Sequence, residues 1–157
     1  MNKVLKLIIA IAIPLAVAAV SGLITSSNIN NWYTFLNKPS WNPPNWVFGP
    51  VWTTLYIMMG IAFYLIWKSD DSNKEKRISI TLFFIQLVLN FFWSIIFFYY
   101  HHLLGAFIEI IFLWTTILLT IFSFAKVSKL AAWLLVPYIS WVSFATILTY
   151  TVWQLNK

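Results

Sequence analysis

Five long apolar runs dominate this sequence and leave few folds open to it. Four carry no charge: Leu7–Ile24, Trp46–Trp67, Ile78–Tyr100 and Leu130–Trp153. The fifth, Leu103–Ala125, carries one charge, Glu109. A helix needs about 20 residues to cross ~30 Å of hydrocarbon, so each run suffices for one crossing and none for two. Membrane-barrel strands would alternate polar and apolar residues over about ten positions, and these runs do not. The expected fold is all-α: a single domain over residues 1–157, an integral membrane bundle of five transmembrane helices. Only 9% of the residues are charged, against roughly a quarter in soluble domains. A soluble enzyme is therefore excluded.

The net charge of +6 would suggest nucleic acid in a soluble protein. In a membrane chain the bases set orientation instead, so no nucleic-acid partner is expected. Lys3, Lys6, Lys68, Lys74, Lys76, Arg77, Lys126 and Lys129 fall on the side of the N-terminus, and only Lys38 and Lys157 on the other. In a bacterial cell membrane this bias predicts a cytoplasmic N-terminus and an external C-terminus. Lys3, Lys6 and Ala16-Val17-Ala18 also resemble a cleavable signal, but the apolar run continues to Ile24, which suits a retained helix. The spacings Ala12-xxx-Ala16 and Ala18-xxx-Gly22 permit close helix contact, within the bundle or across a homodimer seam.

The connectors are unequal. Lys68–Arg77, His101–His102 and Lys126–Lys129 are short turns, which makes neighbouring helices antiparallel. Residues 26–45 form the exception, with Trp32, Tyr33, Phe35, Pro39, Trp41, Pro43 and Pro44. Long connectors inside compact proteins are usually functional. Prolines stiffen this one and its aromatics can fold onto the bundle, so it is expected to act as a lid or as an interfacial cap.

Counting 1.5 Å per residue from the external face places Trp52 and Glu109 about 9 Å down, Trp93 about 10 Å and Ala145 about 12 Å. Asn90 and Trp141 follow at about 15 and 18 Å. Four helices thus bring polar or aromatic groups to one layer beneath the loop, as a ligand chamber would. Trp52, Tyr56, Met59 and Phe63 share a helix face, as do Gln86, Asn90, Trp93 and Phe97, and as do Trp141, Ala145 and Leu148. Such stripes also serve packing or lipid contact, but amides avoid lipid and seek partners inside. Glu109 is read either as an acceptor for a ligand N–H or proton-linked group, or as a partner in an inter-helix hydrogen bond. His101 and His102 are adjacent in a turn and are read as solvated. No third metal ligand accompanies them, and with no cysteine in the chain neither a metal nor a resident cofactor is expected. No Walker loop, Ser/His/Asp set or carboxylate pair is present.

The stretch from Trp32 through Pro39-Ser40-Trp41-Asn42-Pro43-Pro44 to Trp46-Val47-Phe48-Gly49-Pro50-Val51-Trp52-Thr53-Thr54-Leu55-Tyr56 resembles the signature of the TspO/MBR family. Gln86–Ser94 and Pro137–Trp153 agree with it, so the resemblance covers nearly the whole chain. It implies a five-helix, often dimeric receptor in the lipid bilayer for porphyrins such as protoporphyrin IX, or other apolar small molecules. By this similarity the pocket would use Trp52, Asn90, Trp141 and Ala145 under a loop holding Trp41, Pro43 and Pro44; spacing and depth add Tyr56, Trp93, Glu109 and Leu148 to the expected site. Some bacterial relatives break down protoporphyrin in light, and Trp52 and Trp141 would then be the catalytic pair. A transporter or sensor of tetrapyrroles is a third class. The proposed sterol motif of animal members is incomplete: Leu148 and Tyr150 fit, but Gln154 stands at the basic position and Lys157 falls outside the spacing.

Overall fold

A computed structural model describes residues 1–70 and 73–157. Part of the Lys68–Arg77 turn, Asp71 and Ser72, thus lies outside the described residues. Helix α1 (Lys3–Ile29) leads through a single 3-10 turn (Tyr33–Phe35) to α2 (Asn45–Trp67). Helix α3 (Lys74–Ser94) continues as a π turn (Ile95–Tyr99) and is followed by α4 (Leu103–Val127). The fifth span consists of α5 (Lys129–Leu134) and α6 (Val136–Leu155). All the described helices belong to five spans long and apolar enough to cross a membrane. No strand occurs among the described residues.

The helices overrun the apolar spans where polar residues keep the helix going. Asn2 caps α1 by accepting from Val4 N at 3.0 Å, and Asn73 caps α3 by accepting from Lys76 N at 3.1 Å. At the far end of α1, Ser26 and Ser27 donate to the carbonyls of Leu23 and Ile24, and Asn28 donates to Ile24 O at 2.9 Å. These bonds satisfy the side chains within the helix itself. The expected loop therefore starts four residues late, after Ile29. The fifth span is interrupted at Leu135 because Pro137 has no N–H to offer the preceding turn; it restarts with Pro137 in the first turn of α6.

The short His101–His102 link makes α3 and α4 antiparallel neighbours, α1 packs on α2 despite the long connector between them, α4 packs on α6, and α2 meets the fifth span through α5. Lys6 lies over Trp67, and Lys126 pairs with Glu75 at 3.4 Å, which gathers the bases at one end. The bundle is solid at this basic end. Phe63 and Phe83 stack at 4.7 Å, Phe83 lies 6.2 Å from Phe124, and the hydroxyls of Ser79 and Ser123 join α3 to α4 at 2.7 Å.

Small residues do bring two helices together, but not at the positions the spacing suggested. Ala12 and Ala16 are exposed. The close approach is made by Gly60 of α2, where a Cβ would stand 2.5 Å from Ile11 Cα and 2.9 Å from Ala10 O. Pro14 lacks the N–H that the Ala10 carbonyl would otherwise take, so this oxygen faces the neighbouring helix unpaired within its own turn. Toward the other end α1 and α2 part: a Cβ on Gly22 or Gly49 would meet nothing within 4 Å. Gly60→Leu should therefore destabilise the bundle by about 1–3 kcal/mol through overpacking. Gly22→Leu should cost much less, and thermal unfolding of both variants in detergent checks the contrast.

Candidate functional site

At the loop end α1, α2, α3 with its π turn, and α6 enclose a cavity of about 380 Å³, within the ordinary range for small-molecule sites; among the described residues α4 contributes nothing to its wall. Its floor is a chain of buried hydrogen bonds. Tyr56 Oη of α2 donates to Asn90 Oδ1 of α3, and Asn90 Nδ2 donates to Tyr138 Oη of α6 at 2.7 Å. Tyr138 in turn donates to Gln86 Oε1 at 2.7 Å, and Gln86 Nε2 ends the chain 3.9 Å from Met59 Sδ. Both amides are thus accounted for inside the bundle, as hydrocarbon surroundings demand.

Above the floor the walls are aromatic. Trp52 leans on Tyr56 at 5.7 Å and edges onto Tyr138 at 6.3 Å. Trp141 meets Phe48 at 6.0 Å and Phe144 at 5.3 Å. Trp93 stacks on Phe97 at 5.0 Å. The π turn matters here, because its extra residue turns both Phe97 and Phe98 inward, and both line the cavity. A π turn of this kind is frequent at functional sites.

Seven of the predicted residues come together on this cavity: Trp52, Tyr56, Asn90, Trp93, Trp141, Ala145 and Leu148. Four do not line it. Trp41 packs on Phe144 at 5.8 Å with its outer side exposed, and Pro43 and Pro44 form the approach to α2. Glu109 is also absent from the wall, and both its carboxylate oxygens are buried without a protein hydrogen bond. The inter-helix bond considered for it is not formed. Helix α1 was the missing wall: Ala18, Ser21, Gly22 and Thr25 face the cavity. Their small size was legible in the sequence, but it reads equally well as packing.

Three polar atoms on this wall are buried without a protein partner: Ser21 Oγ, Trp93 Nε1 and Trp141 Nε1. Two can only donate, and the serine can donate or accept. The wall therefore offers flat apolar faces with donors between them. Among the described residues no group of three His, Cys, Asp or Glu could hold a metal.

The connector is pinned over the loop end. The backbone N–H of Asn37 donates to Asn156 Oδ1 at 2.9 Å, and Asn156 Nδ2 returns a bond to Asn37 O at 2.8 Å. Lys38, counted in the sequence only as a charge, donates its ammonium to the carbonyls of Tyr33, Thr34 and Leu36. Tyr33 donates to Asn42 Oδ1 at 3.1 Å, and burial pushes its phenol above the ordinary tyrosine value. The histidines are more than a solvated turn. His101, at φ 55°, stacks on Trp32 at 4.1 Å and hydrogen-bonds Asn28, while His102 Nδ1 accepts from Gly105 N and caps α4.

Comparison with known proteins agrees with this architecture. The TspO/MBR family model matches residues 10–154. The chain belongs to the TspO/MBR family. It is 46% identical to the tryptophan-rich protein TspO of Chlorobaculum tepidum over 99% of both chains. It is 40% identical to that of Archaeoglobus fulgidus, over 98% of this chain and 99% of that one. It is also 43% identical to the translocator protein of Homo sapiens, over 80% of this chain and 75% of that protein. Family and apolar helices together make it an integral membrane protein.

Asn90 holds this family member's cavity floor together, so Asn90→Leu strips one partner from each of two buried tyrosines. The expected cost is about 1–3 kcal/mol, read as a lowered unfolding temperature in detergent; an unchanged value would mean the tyrosines find other partners.

Proposed function

We propose that this protein is a membrane receptor for porphyrins of the protoporphyrin IX type and related flat apolar ligands, held in the loop-end cavity. The observation that carries the reading is the wall itself. Trp52 and Trp141 present aromatic faces to one space, beside three buried polar atoms without partners. A planar macrocycle would stack on the indoles, and its carboxylates would accept from Trp93 Nε1, Trp141 Nε1 and Ser21 Oγ. Burying those donors alone costs free energy that a ligand acceptor restores. The relatives are named for their tryptophans or for translocation, which is compatible with a receptor and does not require one.

The same reading includes a bacterial cell membrane with a cytoplasmic N-terminus, from the basic end of the bundle. It also includes a homodimer, for which the exposed Ala12 and Ala16 of α1 supply a close-packing seam.

A second reading is favoured by one observation, that both oxidisable indoles lie on the one cavity. Excited porphyrin and oxygen would then supply the chemistry of light-dependent degradation, with Trp52 and Trp141 as reacting partners. A titration by tryptophan fluorescence with protoporphyrin IX in the dark, followed by illumination, tests both. Trp52→Ala or Trp141→Ala should weaken dark binding about 2- to 12-fold, the equivalent of ~0.5–1.5 kcal/mol per stacked pair. Unchanged affinity in both variants removes this placement. Trp→Phe preserves stacking but removes the indole: bleaching of the Soret band that is lost while binding persists marks an enzyme, and saturable binding without protein-dependent bleaching marks a receptor.

A further inference from the structure

Among the described residues the cavity is exposed on one side, along spans α1 and α2 that are apolar enough to cross a membrane. Every exposed residue on its wall belongs to α1 or α2: Gly22, Ser26, Asn45, Gly49 and Thr53. The wall residues from α3 and α6 are buried or half-buried. Above, the connector is held to the bundle by the paired Asn37 and Asn156 bonds and by Trp32 stacked on His101, and is braced internally by the Lys38 ammonium on three of its own carbonyls. Below, α1 and α2 are in contact at Gly60. Gly49 lies eleven residues from Gly60 along α2, or about 16 Å of helix axis. Over that length the close contact is lost: a Cβ at Gly22 or Gly49 would touch nothing within 4 Å. The gap lies between these two glycines, above the contact at Gly60.

The edges of this gap suit hydrocarbon. Glycines leave the gap unblocked, and the hydroxyls beside them are already satisfied, Ser26 by Leu23 O and Thr53 by Gly49 O. No charged side chain lines it. Leu23 and Trp46 flank it, exposed by 70% and 74%, as lipid-facing side chains are. Just inside sits Ser21, 6% exposed, its Oγ unpartnered on the cavity wall.

We infer that the ligand enters and leaves sideways, from the bilayer, through the gap between α1 and α2. The ligand class this path admits is a membrane-dissolved amphiphile with a flat apolar body and hydrogen-bond acceptors. Gly22 and Gly49 are the jambs of the door and Ser21 is the first donor met inside. The inference rests on the proposed binding function and adds its route.

The test is stopped-flow quenching of tryptophan fluorescence in lipid nanodiscs, with protoporphyrin IX as the probe. Wild type is compared with Gly22→Leu, Gly49→Leu and Asn156→Ala. Both leucines project into open space, so folding should survive, and size-exclusion profiles verify it. Narrowing the gap should slow association and dissociation together, by about tenfold, since a gate changes rates in both directions. Loosening the connector through Asn156→Ala should leave both rates where they are. Independently of any variant, the wild-type association rate should follow the mole fraction of porphyrin in the bilayer rather than its aqueous concentration. Leucine variants with wild-type rates, together with faster exchange in Asn156→Ala, would overturn the lateral route in favour of entry beneath the connector. An association rate that tracks aqueous porphyrin would overturn it as well. If wild type shows no saturable quenching, the porphyrin reading itself falls, a result distinct from saturable binding by another route.

Discussion

The chain of hydrogen bonds from Tyr56 through Asn90 and Tyr138 to Gln86 divides this molecule into two halves with different physics. Lipid offers an amide no partner, so Gln86 and Asn90 must be satisfied by neighbouring helices. Satisfying them draws α2, α3 and α6 to a common level. On the basic side of that level, stacked phenylalanines fill the space. On the other, the same helices together with α1 enclose a cavity walled by the indoles of Trp52, Trp93 and Trp141.

Close contact at one point and its absence at another follow from the same logic. Hydrophobic burial does not drive helices together in a bilayer, so α1 and α2 adhere where backbones can touch. Gly60 allows that contact and nothing at Gly22 or Gly49 repeats it. The pair therefore opens toward the loop end. Connector and helices share the work of enclosure, with polar bonds holding the former where it meets water and shape defining the latter where it meets lipid.

Seven of the eleven anticipated site residues share the cavity because helical spacing and depth from the interface are both readable from residue numbers. The exceptions have definite causes. Trp41, Pro43 and Pro44 lie in the connector, whose path depends on distant bonds such as Asn37 with Asn156, 119 residues apart. Glu109 lies at a suitable depth, but depth says nothing about rotation of a helix about its own axis. The π turn moved Phe98 inward beside Phe97, a change of register that a regular helical count misses.

What the sequence by itself determined is the five spans, their antiparallel order and the layer in which the functional groups sit. Those follow from local quantities: run length against membrane thickness, link length, and rise per residue. Tertiary structure alone decided which wall α1 supplies, that Lys38 and Asn156 fasten the connector, and that the cavity opens between α1 and α2. The wall and the opening depend on how far two helices stand apart, and a spacing of small residues permits both contact and a gap; the fastening depends on the folded path of the connector, which brings Asn37 to Asn156 and turns Lys38 back onto its own carbonyls.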